Sequence, residues 1–279
     1  MIKFGTSGFC KDFMKEHKST SEMPAWIKKH KLSCYETLFT NGVRISDETA
    51  KEFGELFQKA DIELSVHAPY FINFASSDPD SIEKSNQHII KSLQKMKYLG
   101  ARKLVFHPGS LLNLTREQAF ENVLKNIQNL IRELDRLGFS DFYLCPETMG
   151  KHGQIGTVEE IARICAIDER IIPTLDFGHI NAFGGGCLKT EADFEEVFVT
   201  LKKYLGERFN KVHIHFSKIQ YGVKGEIRHL TFEDKEFGPE FEPLAKVLKK
   251  LDVDACIVSE SSGCQTKDAC AMKKIFESV

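Results

Sequence analysis

The chain has 279 residues, of which 42% are hydrophobic and 28% charged, and its formal net charge is −2 at pH 7. The length is close to the roughly 250 residues of an eight-fold β/α barrel, and the composition supplies ample apolar material for a globular core. The near-neutral charge excludes a blanket basic surface, while leaving room for a local basic cleft or one whose positive charge comes from bound cations.

Met1-Ile2-Lys3-Phe4-Gly5 leads straight into a strand-like segment with no charged stretch before a long apolar one, so no signal peptide is expected. Apolar, β-branched runs over 3–6, 33–38, 63–67, 103–107, 142–147, 171–176, 211–215 and 255–260 predict eight strands. The segments between them carry helical spacing: 24–30, 47–60, 81–99, 158–167, 191–205, 240–251 and 267–276. The clearest helix follows Thr115, where Gln118 completes a capping box. Leu124, Ile127, Leu130, Ile131, Leu134 and Leu137 then share one face before Gly138.

Strand and helix alternate along the whole chain without a Gly-, Pro- or Ser-rich linker, which predicts a single (β/α)8 TIM barrel spanning 1–279. A doubly wound open sheet is the alternative, but no glycine-rich phosphate loop follows the first strand. No run of about 18 apolar residues exists, so no membrane span is expected. The eight cysteines form no CxxC pair. They are expected to be reduced, in a cytoplasmic protein.

A barrel of this kind presents its chemistry at the C-terminal ends of its strands. Here those ends carry His67, His107, Glu147, Asp176, His213 and Glu260. A lone polar residue at a loop start is ordinarily just hydrogen-bonded. Six such residues converging on one axis could not stay unpaired, because clustered carboxylates repel and buried charges need partners. Imidazoles mixed with carboxylates suit zinc or another first-row divalent ion, with Mn²⁺ also accepted by such donors. One ion uses about four protein ligands, so these residues, with His179 and His229, predict at least two ions. Such multinuclear sites suit phosphate-ester hydrolysis.

At these residues the chain resembles the endonuclease IV (deoxyribonuclease IV) family of abasic-site endonucleases. His67-Ala68-Pro69-Tyr70-Phe71-Ile72-Asn73 is similar to its HAPY-x-IN signature, and His107-Pro108-Gly109 to its HPG motif. Glu147-Thr148, Asp176-Phe177-Gly178-His179, the Val-His-Ile-His run around His213, and Glu260 follow in the family's order. The resemblance implies a zinc cluster of two or three ions. His67, His107 and Glu147 would hold the first, Glu147, Asp176, His213 and Glu260 the second, and His179 and His229 the third. The family's Asp–x–His pair is broken by Ile227 at the Asp position, which leaves either Glu226, from a shifted loop, or a water to fill that place. His215 has no assigned role.

The resemblance further implies hydrolysis of the phosphodiester 5′ to an abasic site in double-stranded DNA, with Glu147 or Glu260 orienting the attacking water and no nucleotide cofactor. The products would carry a 3′-hydroxyl and a 5′-deoxyribose phosphate, and the protein would be a monomer. Arg44, Tyr70, Asn73 and Lys218 would contact the DNA. Two other functions remain open: a sugar isomerase or epimerase with a single divalent ion on Glu147, Asp176, His213 and Glu260, and a barrel that binds DNA lesions without turnover.

Overall fold

The computed structural model describes residues 1–279. Eight parallel strands form one sheet: β1 (Ile2–Ser7), β2 (Cys34–Leu38), β3 (Glu63–His67), β4 (Lys103–Phe106), β5 (Tyr143–Pro146), β6 (Thr174–Asp176), β7 (Lys211–Phe216) and β8 (Asp254–Ser259). Their spatial order is β5-β4-β3-β2-β1-β8-β7-β6. Single bridges from Leu144 to Ile171 and from Glu147 to Thr174 join the outer pair and close the (β/α)8 TIM barrel. Residues such as Leu104, Leu144, Leu175, Ile214 and Ile257 have no exposed surface, as strands covered on both faces require.

Ten α-helices surround the sheet: α1 (Lys11–Glu16), α2 (Met23–Lys29), α3 (Asp47–Lys59), α4 (Pro79–Leu99), α5 (Arg116–Arg136), α6 (Val158–Cys165), α7 (Phe177–Phe183), α8 (Glu191–Leu205), α9 (Phe241–Lys250) and α10 (Gln265–Ser278). The predicted capping box is present: Thr115 Oγ1 accepts from Gln118 N at 3.3 Å, and Gln118 Oε1 accepts from Thr115 N at 3.1 Å. The apolar stripes of these helices join a single cluster of 64 buried residues. No helix is long and apolar enough to cross a membrane.

Two helices escaped the sequence reading. Helix α1 is too short to show a period. Helix α7 starts directly at the end of β6, with Asp176 as its N-cap. None of the eight cysteines is paired. At the N-terminal end of the barrel, Glu63 accepts from Lys3 and Lys103, each at 2.7 Å.

The strand register sets the heights of the side chains that reach the interior. Asp176 on β6 pairs with His215 on β7, whereas His213 pairs with Thr174, one layer deeper. Strand β7 runs to Phe216, so His213 lies well below the barrel rim.

Candidate metal centre

Successive strands lift His67, His107, Glu147, Asp176, His215 and Glu260 to the C-terminal mouth of the barrel. Glu147 lies at the middle. Its Oε2 is 3.2 Å from His67 Nε2 and 3.2 Å from His107 Nε2. Its Oε1 is 3.2 Å from His215 Nδ1. Four sets of donor atoms each gather within 4.8 Å: His67, His107 and Glu147; Glu147, Asp176, His215 and Glu260; His179, Glu226 and His229; and, sealed below the mouth, Glu36, His213 and His215.

The second set corrects the sequence reading. His213 does not join the carboxylates; its Nε2 donates instead to Glu36 Oε2 at 2.9 Å, below the mouth. Side chains two apart on a strand share a face but differ in height, and here the upper position belongs to His215. Glu36 was missed altogether. Its signal was an acidic residue in the middle of an otherwise apolar strand, where burial without a partner is expensive.

The third set includes Glu226. A hairpin of Ile219–Gly222 and Gly225–His229 carries it, and the register slips by a bulge between Gln220 and Tyr221. Such a bulge re-aims side chains. Glu226 Oε2 comes to 3.5 Å from His179 Nε2, while Ile227 is 58% exposed. Gly150 permits this approach, because a Cβ there would lie 2.7 Å from that of Glu226.

Each of three imidazoles turns one nitrogen outward onto an oxygen, leaving the other for the centre. His67 Nδ1 donates to the Ala68 carbonyl at 2.9 Å, and His179 Nδ1 to the Thr148 carbonyl at 2.9 Å. His229 Nδ1 is 2.8 Å from Ser217 Oγ. Metal-binding histidines are held in this way.

Asp176 divides its oxygens similarly. Oδ1 accepts from His179 N at 2.7 Å as the helix cap, and Oδ2 is buried with no partner. An orphaned carboxylate oxygen beside Glu147 and Glu260 fits a cation.

The electrostatics agree with that fit. Burial pushes the Glu147 carboxyl up, but the imidazoles of His215, His107 and His179 outweigh it and hold the group well below the ordinary carboxylate range. Burial likewise pushes Asp176 up. Against its own burial, His179 is held up to about 10 by Asp176 and Glu147. The carboxylates therefore draw positive charge onto His67, His179 and His215, though not onto His107, where burial wins, and a divalent ion satisfies the same demand by displacing those protons.

Above the centre is a cleft of about 410 Å³, edged by Tyr70, Met149, Lys151 and Gln154. Arg116 donates to the carbonyls of His152 and Gln154 at 3.2 and 3.1 Å, fixing that loop. A larger hollow of about 820 Å³ opens at the opposite end of the barrel, but no histidine lines it.

The residues predicted to meet DNA part company. Arg44 is exposed on the loop after β2. Tyr70 is 54% exposed at the rim, stacked on His107 with centroids 5.2 Å apart. Asn73 is instead a loop brace: its Oδ1 accepts from Ala75 N at 3.2 Å and Ser110 N at 3.0 Å. Lys218 is 2% exposed and spends its charge internally, on Glu240 and the Asp234 carbonyl. An ammonium that is desolvated and paired cannot track a phosphate backbone.

The family model described as Xylose isomerase-like TIM barrel matches residues 24–274. An uncharacterized protein of Methanocaldococcus jannaschii is 32% identical, over 94% of this chain and 92% of its own length. A probable endonuclease 4 of Mycoplasma genitalium is 32% identical, over 71% of this chain and 66% of its own length. Among solved structures, a D-tagatose 3-epimerase-like protein has a TM-score of 0.72 at 22% identity, covering 99% of this chain and 96% of its own. Endonuclease IV from Thermus thermophilus has a TM-score of 0.67 at 20% identity, covering 99% of this chain and 97% of its own. At those identities the structural likenesses speak to the fold alone.

Proposed function

The chain belongs to the Xylose isomerase-like TIM barrel family, and from that premise we propose that it is a metal-dependent endonuclease of the endonuclease 4 kind, hydrolysing DNA on the 5′ side of abasic sites. The observation that carries this reading is the gathering of nine side chains into three adjoining donor sets, two of which share Glu147. A single ion would leave most of these donors unused. The relative named probable endonuclease 4 supports the same direction.

In this reading His67, His107 and Glu147 hold one zinc ion, Glu147, Asp176, His215 and Glu260 a second, and His179, Glu226 and His229 a third. Bound there, the ions supply Lewis-acid stabilisation of phosphoryl charge and activation of water. Glu260 is the carboxylate of the second set that borders the cleft. Burial pushes it up, but His215 outweighs that and holds it below its ordinary value. It is thus ionised at neutral pH and accepts a hydrogen bond from the attacking water, aiming that water at phosphorus. Lys151, exposed at the cleft edge, faces a flanking phosphate. Tyr70, backed by His107, packs against a deoxyribose without a base. Extruding such a nucleotide costs least, which selects the lesion without reading sequence.

The direct test is a duplex oligonucleotide carrying one tetrahydrofuran abasic analogue, incubated with metal-loaded protein and no added magnesium. The analogue cannot undergo β-elimination, so hydrolytic incision must yield a 3′-hydroxyl end. Intact duplex after incubation with metal-loaded protein would sink the proposal. One observation favours a second reading: Glu147, Asp176, His215 and Glu260 by themselves form a single-ion set. One ion per chain, with turnover of a ketose, would favour a sugar epimerase or isomerase.

A further inference from the structure

His67 and His229 each rest one nitrogen on a neutral oxygen, and His179 Nδ1 is shared between the Thr148 carbonyl and Glu147, the latter 3.3 Å away. His215 differs. Its Nδ1 faces Glu147 and Glu260, at 3.2 and 3.6 Å, and its Nε2 lies 3.0 Å from Glu36 Oε1. Glu36, His213 and His215 have no solvent-exposed surface at all. Glu36 Oε1 and His215 Nε2 are both buried atoms without a formed hydrogen bond, and they face each other.

The other oxygen of Glu36 is held from two sides. Ser65 Oγ donates to Oε2 at 2.9 Å, and His213 Nε2 donates to it at 2.9 Å. Strand register makes the clamp rigid, since Glu36 on β2 pairs directly with Ser65 on β3. With Oε2 engaged, Oε1 points across the barrel at His215.

We infer that Glu36 is a positioning residue for the metal centre: it accepts the Nε2 proton of His215, and so presents the Nδ1 lone pair to the ion shared with Glu147, Asp176 and Glu260. The inference rests on the metal reading given above. An anionic acceptor makes the imidazole a stronger donor than a carbonyl does, and outer partners of this type typically govern metal affinity by 10- to 100-fold. His213 acts through Glu36 and holds no ion. That gives the deeper histidine a function that neither its height nor its burial alone explains.

Two measurements test the assignment. In cadmium-loaded wild-type protein with ¹⁵N-labelled histidine, long-range ¹H–¹⁵N spectra should show His215 protonated at Nε2, with cadmium coupled to Nδ1. A proton on Nδ1, or cadmium coupled to Nε2, would overturn the inference even if no variant folds. The second measurement is the E36Q variant titrated with a chelator. An amide can aim its NH2 group at His215 Nε2 and force the proton onto Nδ1, so one ion per chain should be held about 10- to 100-fold more weakly. The other ions should be unaffected. The S65A variant, which leaves Oε1 in place, should retain all ions like wild type. Wild type and E36Q holding every ion equally would remove Glu36 from the centre and leave the metal reading standing. A wild-type chain that takes up no ion would remove the metal reading itself.

Discussion

His215 stands one barrel layer above His213 on the same strand and the same face, and that single step separates two environments. The upper ring lies between Glu147 at 3.2 Å, on the cleft side, and Glu36 at 3.0 Å, whereas the lower ring meets only the sealed Glu36, at 2.9 Å. Removing each should therefore fail differently. H215A should lose one ion per chain by elemental analysis and most of its incision activity. H213A should keep its ion count on loading but lose about 2–4 kcal/mol in urea unfolding, from a buried charged hydrogen bond and the cavity left behind. Equal ion loss in the two variants would contradict this division.

The third donor set turns on Glu226 rather than on the residue beside it. E226A should bind one ion fewer than wild type, with unfolding stability little changed. I227A should bind as many as wild type, because Ile227 is largely exposed. If I227A sheds the ion and E226A does not, the hairpin register is wrong.

Lys218 should register in stability and not in DNA affinity. K218A removes a buried ammonium from Glu240 and from the Asp234 carbonyl, 2.9 Å away. A loss of about 1–3 kcal/mol is expected by thermal or urea denaturation. The salt dependence of abasic-DNA binding should keep its wild-type slope, since no phosphate contact is lost. A slope lowered by about one would return Lys218 to the interface.

Tyr70 and Asn73 lie in one loop and should behave in opposite ways. Y70A should weaken binding of abasic duplex by about 1–3 kcal/mol, the usual worth of an aromatic packing platform, while melting like wild type. N73A should melt lower by an amount matching about 1–3 kcal/mol, because two backbone N–H groups lose their acceptor. Fluorescence anisotropy and calorimetry on both variants separate the roles.

Acid sensitivity should include a contribution from the opposite end of the barrel. Burial pushes the Glu63 carboxyl up, but Lys103 and Lys3 outweigh it and hold the group down to about 2, against 4.5 for the free group. A folded value below the unfolded one means that the stabilisation is complete above about 4.5 and fades as pH falls toward 2. E63Q should thus be less stable than wild type at pH 7, by about 1–2 kcal/mol for a partly exposed pair. The difference should shrink steadily below pH 4.5. A gap that persists at the lowest pH where both variants stay folded would point to packing instead.

The barrel was legible in the sequence because apolar, β-branched runs and helical stripes are local properties, repeated often enough to leave little choice of architecture. The ordered candidate ligands His67, His107, Glu147, Asp176 and Glu260, which the structure gathers at the mouth, were legible too, because each falls at or just past the end of its own strand. What local pattern cannot express is height. His213 and His215 are equivalent to any reading that counts residues to a strand end, and the register of β7 against β6 chose between them. Glu226 depended on a bulge, Lys218 on a loop that folds back over it, and Glu36 on two other strands meeting it inside the barrel. Residue types and their order come from the chain alone. Which carboxylate each imidazole meets is decided by strand register and closure of the sheet, since these bring together atoms 177 residues apart in the case of Glu36 and His213.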